Sequence, residues 1–284
     1  MSATRRYTLT ISCPDRTGII AAVTGFIAQH GGFIVEASYH TDLETQHFFM
    51  RQEILADSLP FDANEFRRRF AQLSDELEMT WQFSDSARKK RLVILVSKQD
   101  HCLNDLLHRW RSGELLVDIP CVISNHEDLR SFVEWHGIPF IHVDMTDKAA
   151  AFANIGALFE QHQGDTLVLA RFMQILPADF CQRYAGRVIN IHHSFLPSFV
   201  GARPYHQAYH RGVKLIGATC HYVTEELDAG PIIEQDTVRV DHGDTVDDLV
   251  RYGRDIEKTV LARGLRYHIE DRVLICGNKT IVFR

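Results

Sequence analysis

The stretch V-I-N-I-H-H-S-F-L-P, residues 188–197, decides how this chain folds and where its chemistry lies. Its first part, with residue 187 before it, reads as a buried strand over 187–191 that runs out into a loop. Asn190 and His192 stand two apart, so an extended backbone turns both side chains to one face. Further on, T-E-E-L-D-A-G-P at 224–231 sets Asp228 in a loop bounded by glycine and proline. An amide, an imidazole and a carboxylate together can polarise a carbonyl, move a proton and hold a water. No serine or cysteine sits in an obvious nucleophile motif, so the predicted chemistry is direct attack on an acyl group.

Upstream of this stretch, apolar runs of strand type alternate with helical spacing. Strands are predicted at 92–96, 119–123, 140–143 and 166–170, and helices at 104–110, 129–136 and 148–161. Such alternation means βαβ units and a mostly parallel, Rossmann-like sheet. Ligands of these sheets bind beyond the carboxyl ends of the strands, where Ser97, Arg171 and His192 fall. Downstream, Thr245 reads as an N-cap with Asp247 and Asp248 in the first turn, opening a helix to 269. A closing hairpin is predicted from 273–276, a Gly277-Asn278 turn and 280–283.

The first 85 residues follow a different rhythm. Strand 7–12, a helix over 19–30, strands 33–39 and 48–54, a helix from Asp62 and a strand at 79–83 give β-α-β-β-α-β, a ferredoxin-like unit. Residues 84–90, S-D-S-A-R-K-K, are the predicted linker, and 86–284 the second domain.

Bulk composition fits this division. The chain has 284 residues, 45% hydrophobic and 24% charged, long enough for two domains of an ordinary globular kind. A formal charge of -6 argues against broad nucleic-acid binding. Six cysteines are scattered singly with no C-x-x-C, so free thiols in a reducing cytoplasm are expected, and no zinc ribbon. The start lacks the apolar core of a signal peptide, and no run approaches membrane-span length. His206 and His210 are four apart, yet no third ligand stands near them, so solvated helix histidines are expected rather than a metal site.

Three segments carry a family resemblance. L-A-R-F-M-Q-I-L-P at 169–177, V-I-N-I-H-H-S-F-L-P-S-F-V-G-A-R-P-Y-H-Q-A at 188–208 and G-A-T-C-H-Y-V-T-E-E-L-D-A-G-P-I-I-E-Q at 217–235 resemble the formyltransferase family that uses 10-formyltetrahydrofolate. The resemblance covers about 91–284. It implies catalytic roles for Asn190, His192 and Asp228. It also implies a folate pocket walled by Met173, Gln174, Ile175 and Leu176 on one side and by 223–228, with Val223, Glu225 and Glu226, on the other. His193 either lines the water site or packs. Gly201 and Arg203 fall in the adjoining loop, Arg203 as a folate-carboxylate partner or a surface charge.

D-R-T-G-I at 15–19, followed by a helix, a glycine pair and a strand, resembles the ACT regulatory module. That implies a small amino-acid effector between paired copies, near Asp15, Arg16, Gly18 and Ile19 facing Gly31 or Phe33. Pathway logic points to glycine or methionine as the effector, and the pairing to a homo-oligomer. Read structurally instead, Gly18 only makes a turn and Asp15 only caps the helix.

The two modules together are similar to the hydrolytic branch of the formyltransferase family. Transferase members carry a glycine-rich loop after the first strand of this domain, whose amides hold the acceptor's phosphate. Here the stretch is V-S-K-Q-D-H-C-L-N, without glycine, so water is the expected acceptor. The expectation is hydrolysis of 10-formyltetrahydrofolate with no metal and no further cofactor, balancing one-carbon pools and feeding formate to purine synthesis. The alternatives are formyl transfer to an amine and a sensing protein with a spent site.

Overall fold

The computed structural model describes residues 4–198 and 204–284. Two compact units emerge. One holds the described part of Met1–Lys89 with Tyr267–Cys276 and Ile281–Arg284; the other holds Lys90–Arg266 with Gly277–Thr280.

In the first unit β1 (Arg6–Pro14), α1 (Ile19–Gln29), β2 (Ile34–Asp42), β3 (His47–Leu55), α2 (Ala63–Glu76) and β4 (Thr80–Asp85) follow one another. The four strands form an antiparallel sheet in the order β2-β3-β1-β4. Period-2 alternation in β1 and β3 puts Leu9, Ile11, Phe48, Met50 and Ile54 in one core with Ile19, Val23 and Ile27 of α1 and Phe66 and Phe70 of α2. Asp62 caps α2, accepting from the amides of Asn64 and Glu65. Gly18 at φ 96° precedes α1 with no side-chain cap, so Asp15 does not cap this helix.

The sequence reading ended this unit near 85 and gave the whole tail to the second. Most of the tail, Tyr267–Cys276 and Ile281–Arg284, instead groups with the first unit. Leu274 and Phe283 pack on Phe49 of β3. Arg51, two residues along, donates to the backbone carbonyls of Glu270 at 2.9 Å and Asp271 at 3.2 Å and to Glu53 at 2.6 Å. The predicted linker is shorter than expected, because β4 runs to Asp85 and the next strand starts at Lys90.

In the second unit β5 (Lys90–Val96), α3 (His101–Ser112), β6 (Val117–Ser124), α4 (Arg130–Trp135), β7 (Phe140–His142), α5 (Lys148–Gln161), β8 (Thr166–Leu169), α6 (Ala178–Arg183), β9 (Val188–His192), α7 (Pro204–Arg211), β10 (Leu215–Tyr222), β11 (Ile232–Arg239) and α8 (Val246–Ile269) alternate. Their seven strands lie in the order β11-β10-β9-β8-β5-β6-β7. The strands from β9 to β7 run parallel, and β10 and β11 are antiparallel additions. β5 is the middle one of the five parallel strands, buried from Leu92 to Val96, as a parallel strand covered on both faces must be. The chain first builds outward from β5 on one side, then returns to build on the other with β8. That reversal opens a crevice past the carboxyl ends of β5, β8 and β9. The long helix α8 begins with a capping box: the Asp248 amide donates to Thr245 Oγ1 at 3.2 Å, and the Thr245 amide to Asp248 Oδ2 at 3.0 Å. Among the described residues, no helix is long and apolar enough to cross a membrane.

Candidate active site

A cavity of about 560 Å³ opens in that crevice, within the range typical of small-molecule sites. Asn190, His192 and Asp228 all line it. β9 delivers the first two on one face. Its antiparallel neighbour β10 sets His221 directly across from Asn190, and Thr219 across from His192. Thr219 Oγ1 accepts from the Leu196 amide at 3.0 Å and donates to the Ser194 carbonyl at 2.9 Å, which fixes the loop leaving His192.

Asp228 comes from the loop between β10 and β11 with φ 56°, a left-handed conformation that Asp tolerates better than most residues. The loop closes on Gly230, where a Cβ would run into the Tyr222 carbonyl, so the D-A-G-P turn needs glycine there. Asp228 Oδ2 lies 3.2 Å from His192 Nδ1, and Oδ1 lies 3.8 Å from His221 Nε2. Burial alone would raise the Asp228 carboxyl. The hydrogen bond and charge of His192 reverse this and hold it below its ordinary value. With Nδ1 turned to the carboxylate, His192 Nε2 is buried and has no partner among the described residues. A buried polar atom left open at a cavity is satisfied by a ligand or water.

His221 was not singled out by the sequence reading, which saw only a strand there. Its Nδ1 lies 2.8 Å from the Tyr222 carbonyl and must donate to it. Burial pushes this imidazole below its ordinary value, toward the neutral form. Its Nε2 therefore carries a lone pair and accepts from Asn190 Nδ2 at 3.2 Å. Asn190 is thereby oriented, with the second hydrogen of Nδ2 available for a ligand oxygen.

Most of the residues expected to wall a folate pocket border this cavity. Met173, Gln174, Ile175 and Leu176 line the cavity, as do Val223 and Glu225; Glu226 does not. Met173 is 56% and Ile175 65% exposed, so neither packs in the core. The Met173 amide donates to Ser97 Oγ at 3.0 Å, which seats this strip against the end of β5. His193 also lines the cavity, and burial followed by the charge of Arg171 pushes it down to about 3, so it is neutral at physiological pH. Gly201 and Arg203 lie outside the described residues.

A second polar group borders the same cavity and had no local signal in the sequence. Glu257 of α8 is 1% exposed. Its Oε2 meets His101 Nε2 at 2.8 Å and Arg171 Nε at 3.4 Å, and its Oε1 accepts from Tyr205 OH at 2.6 Å. Burial would raise this carboxyl, and these partners hold it below its ordinary value. His101, Cys102 and Glu257 approach metal-ligand spacing. Both Glu257 oxygens are already engaged, and the Arg171 charge opposes a cation there. His206 and His210 are exposed on α7.

The residues predicted for an effector do not converge within one chain. Asp15, Arg16, Gly18 and Ile19 stand before or at the start of α1, and Gly31 and Phe33 beyond its end. The eleven residues of α1 put roughly 16 Å between the two groups. Ile19 is buried in the core, Arg16 pairs with Glu78 at 2.8 Å, and Phe33 is 63% exposed.

Comparison with known proteins agrees with this geometry. The family model described as formyl transferase matches residues 90–265. A protein of Synechocystis sp. named formyltetrahydrofolate deformylase is 50% identical over 97% of this chain and 98% of its own. The crystal structure of a formyltetrahydrofolate deformylase from Pseudomonas syringae pv. tomato is 62% identical, with a TM-score of 0.98 over 100% of this chain and 96% of that one. The glycinamide ribonucleotide transformylase 1 of Symbiobacterium toebii is 29% identical, with a TM-score of 0.67 over 70% of this chain and 97% of its own. A sheet of formyltransferase type, a histidine clamped by a loop aspartate, and relatives matched from end to end lead to one assignment: the chain belongs to the formyltetrahydrofolate deformylase family.

Proposed function

We propose that a water molecule attacks the formyl carbon of the substrate at the centre built by Asn190, His192 and Asp228. The chain is a hydrolase that converts 10-formyltetrahydrofolate to formate and tetrahydrofolate. The observation that carries the residue assignment is the 3.2 Å pair of His192 Nδ1 and Asp228 Oδ2, which leaves His192 Nε2 open at the cavity.

A bond forms between water oxygen and the formyl carbon, and negative charge develops on the former carbonyl oxygen. The free hydrogen of Asn190 Nδ2 meets that oxygen, joined by Nε2–H of His192 in its imidazolium form; a donor of this kind supplies about 2.7–4 kcal/mol of barrier stabilisation. Asp228 holds the imidazole and the water, and the pair carries the water's proton to the leaving nitrogen as the carbon–nitrogen bond breaks. His193, being neutral, accepts a hydrogen bond from the water. Met173 and Ile175 flank the pterin ring on one side, and Val223 and Glu225 wall the other. The leaving group is an aryl amine and the formyl carbon is unhindered, so the reaction needs no metal and no further cofactor. Transfer to an amine acceptor is not favoured, because the match to deformylases extends over the whole chain.

The first unit acts as an ACT-type regulatory module; its β-α-β-β-α-β order and the D-R-T-G-I turn support this reading. A small amino acid, glycine or methionine, binds between copies, with Asp15, Arg16 and Gly18 of one facing Gly31 and Phe33 of another. The enzyme is accordingly a homo-oligomer. It works in the cytoplasm, where formate release feeds purine synthesis and restores free tetrahydrofolate.

The direct test incubates purified protein with 10-formyltetrahydrofolate alone, under chelator, and assays formate. Release that is lost in Asp228→Asn supports the scheme. A folded protein that binds the folate and releases no formate overturns it.

A further inference from the structure

We propose that Arg171, braced by Glu257 and Gln99, selects the acceptor: it keeps amine nucleophiles from the reacting carbon and leaves water as the only one. The inference rests on the hydrolytic reading above and adds to it the residue that makes the reaction hydrolytic.

The backbone is the first observation. Arg171 has φ 65° and is only 7% exposed. Glycine takes that conformation without strain, whereas a long side chain does not. A buried arginine held there points to a side chain that the site uses.

Its position is the second. β8 runs parallel to β9 with Leu169 in register with Asn190. Two residues on along the two chains stand Arg171 and His192, so the guanidinium issues from the level of the catalytic histidine. Both residues line the one cavity.

The bracing is the third. Arg171 Nε donates to Gln99 Oε1 at 2.9 Å and lies 3.4 Å from Glu257 Oε2. Glu257 is itself fixed by His101 and Tyr205. Tyr205 in turn meets the His193 ring edge-on, with ring centroids 6.1 Å apart, and the His193 ring lies 5.0 Å from the His192 ring. The arginine is thus braced on one side of the cavity it shares with His192.

An amine acceptor would have to occupy that side. It attacks as a free base but arrives largely as an ammonium ion, which a buried guanidinium repels, and its carbon skeleton needs the volume that the arginine fills. Water is small and uncharged and meets neither barrier. In hydrolysis the carbon–oxygen bond forms, the carbon–nitrogen bond breaks and the water's proton goes to the leaving nitrogen. Aminolysis differs only in that a carbon–nitrogen bond to the acceptor forms and the acceptor's proton moves.

The test uses the full-length protein, substrate labelled with carbon-13 in the formyl group, and excess glycinamide, at one pH below and one above that amine's own pKa. The readout is the ratio of N-formylglycinamide to formate, which a purely structural role for Arg171 would not move. Wild-type protein should give formate with only a trace of N-formylglycinamide. Arg171→Gly, whose backbone suits the left-handed conformation, should raise the ratio at least about tenfold. Arg171→Ala should show the same direction and guards against loss of fold in the first variant. Folded variants that still release formate with the wild-type ratio overturn the inference alone. Wild-type protein that releases no formate overturns the hydrolytic reading, and this inference falls with it.

Discussion

Asn190 Nδ2 sits 3.2 Å from His221 Nε2, directly across the β9–β10 ladder. The imidazole is locked as an acceptor because its other nitrogen donates to a backbone carbonyl. Losing it leaves Asn190 free to rotate. His221→Phe should therefore lower kcat about 10- to 100-fold while KM changes little, since the pterin walls are untouched. Steady-state kinetics with 10-formyltetrahydrofolate checks the split, and a rise confined to KM would refute the role.

Asp228 titrates below its ordinary value of 3.8 because burial, which would raise it, is outweighed by His192. A depressed carboxylate stabilises the fold fully above its unfolded value, and that contribution is lost as pH falls through the lower folded one. The difference in urea midpoint between wild type and Asp228→Asn should be constant from neutral pH to about 4 and shrink below it.

His193 runs the other way in charge. Its folded value is pushed down to about 3 from 6.5, so the folded state refuses a proton that the unfolded chain accepts. Stability from this residue is present above 6.5 and is lost progressively as pH falls from there toward about 3. His193→Gln should flatten that part of the stability profile. In wild-type protein the ring should remain neutral at pH 5 by NMR; a protonated ring there would contradict the burial argument.

Met173 and Ile175 present apolar surface to an open cavity, at 56% and 65% exposure. Covering such surface with a ring removes it from water and favours binding. Either residue changed to Ser should weaken folate binding about tenfold with little loss of kcat at saturation. Titration calorimetry with a non-reactive folate gives the dissociation constant directly.

Arg51 has a side chain only 2% exposed and faces Glu53, itself 12% exposed. Burial would raise the Glu53 carboxyl, and Arg6 and Arg51 hold it below its ordinary value. Arg51→Met leaves that charge to Arg6 alone and strands two backbone carbonyls. A loss of roughly 3–5 kcal/mol is expected, read as a lower urea midpoint. A midpoint within error of wild type would show that the tail's contacts carry no weight.

Much of this was legible before the structure. Period 3.6 gave the helix at 148–161, and period 2 gave the shared face of Asn190 and His192, because both depend on neighbours in sequence. His221 was hidden, since its role comes from a strand pairing 31 residues away. Glu257 was hidden for the same reason, 156 residues from His101. Arg171 was placed at the strand ends where ligands bind, but its left-handed backbone gave no warning, because arginine is no signal of such a turn. The hairpin at 273–276 and 279–282 was visible as a pattern, but a pattern names no partner, and Phe49 lies far upstream.

That hairpin also sets an order in time. On the ribosome the first strands emerge early, yet the residues that cover Phe49 and receive Arg51 are made some 220 positions later. Until then a charged pair and an aromatic ring meant for burial stand open, so the amino-terminal unit is finished only when residues 270–283 have been made. A gene that borrowed the first 85 codons would inherit an uncovered sheet.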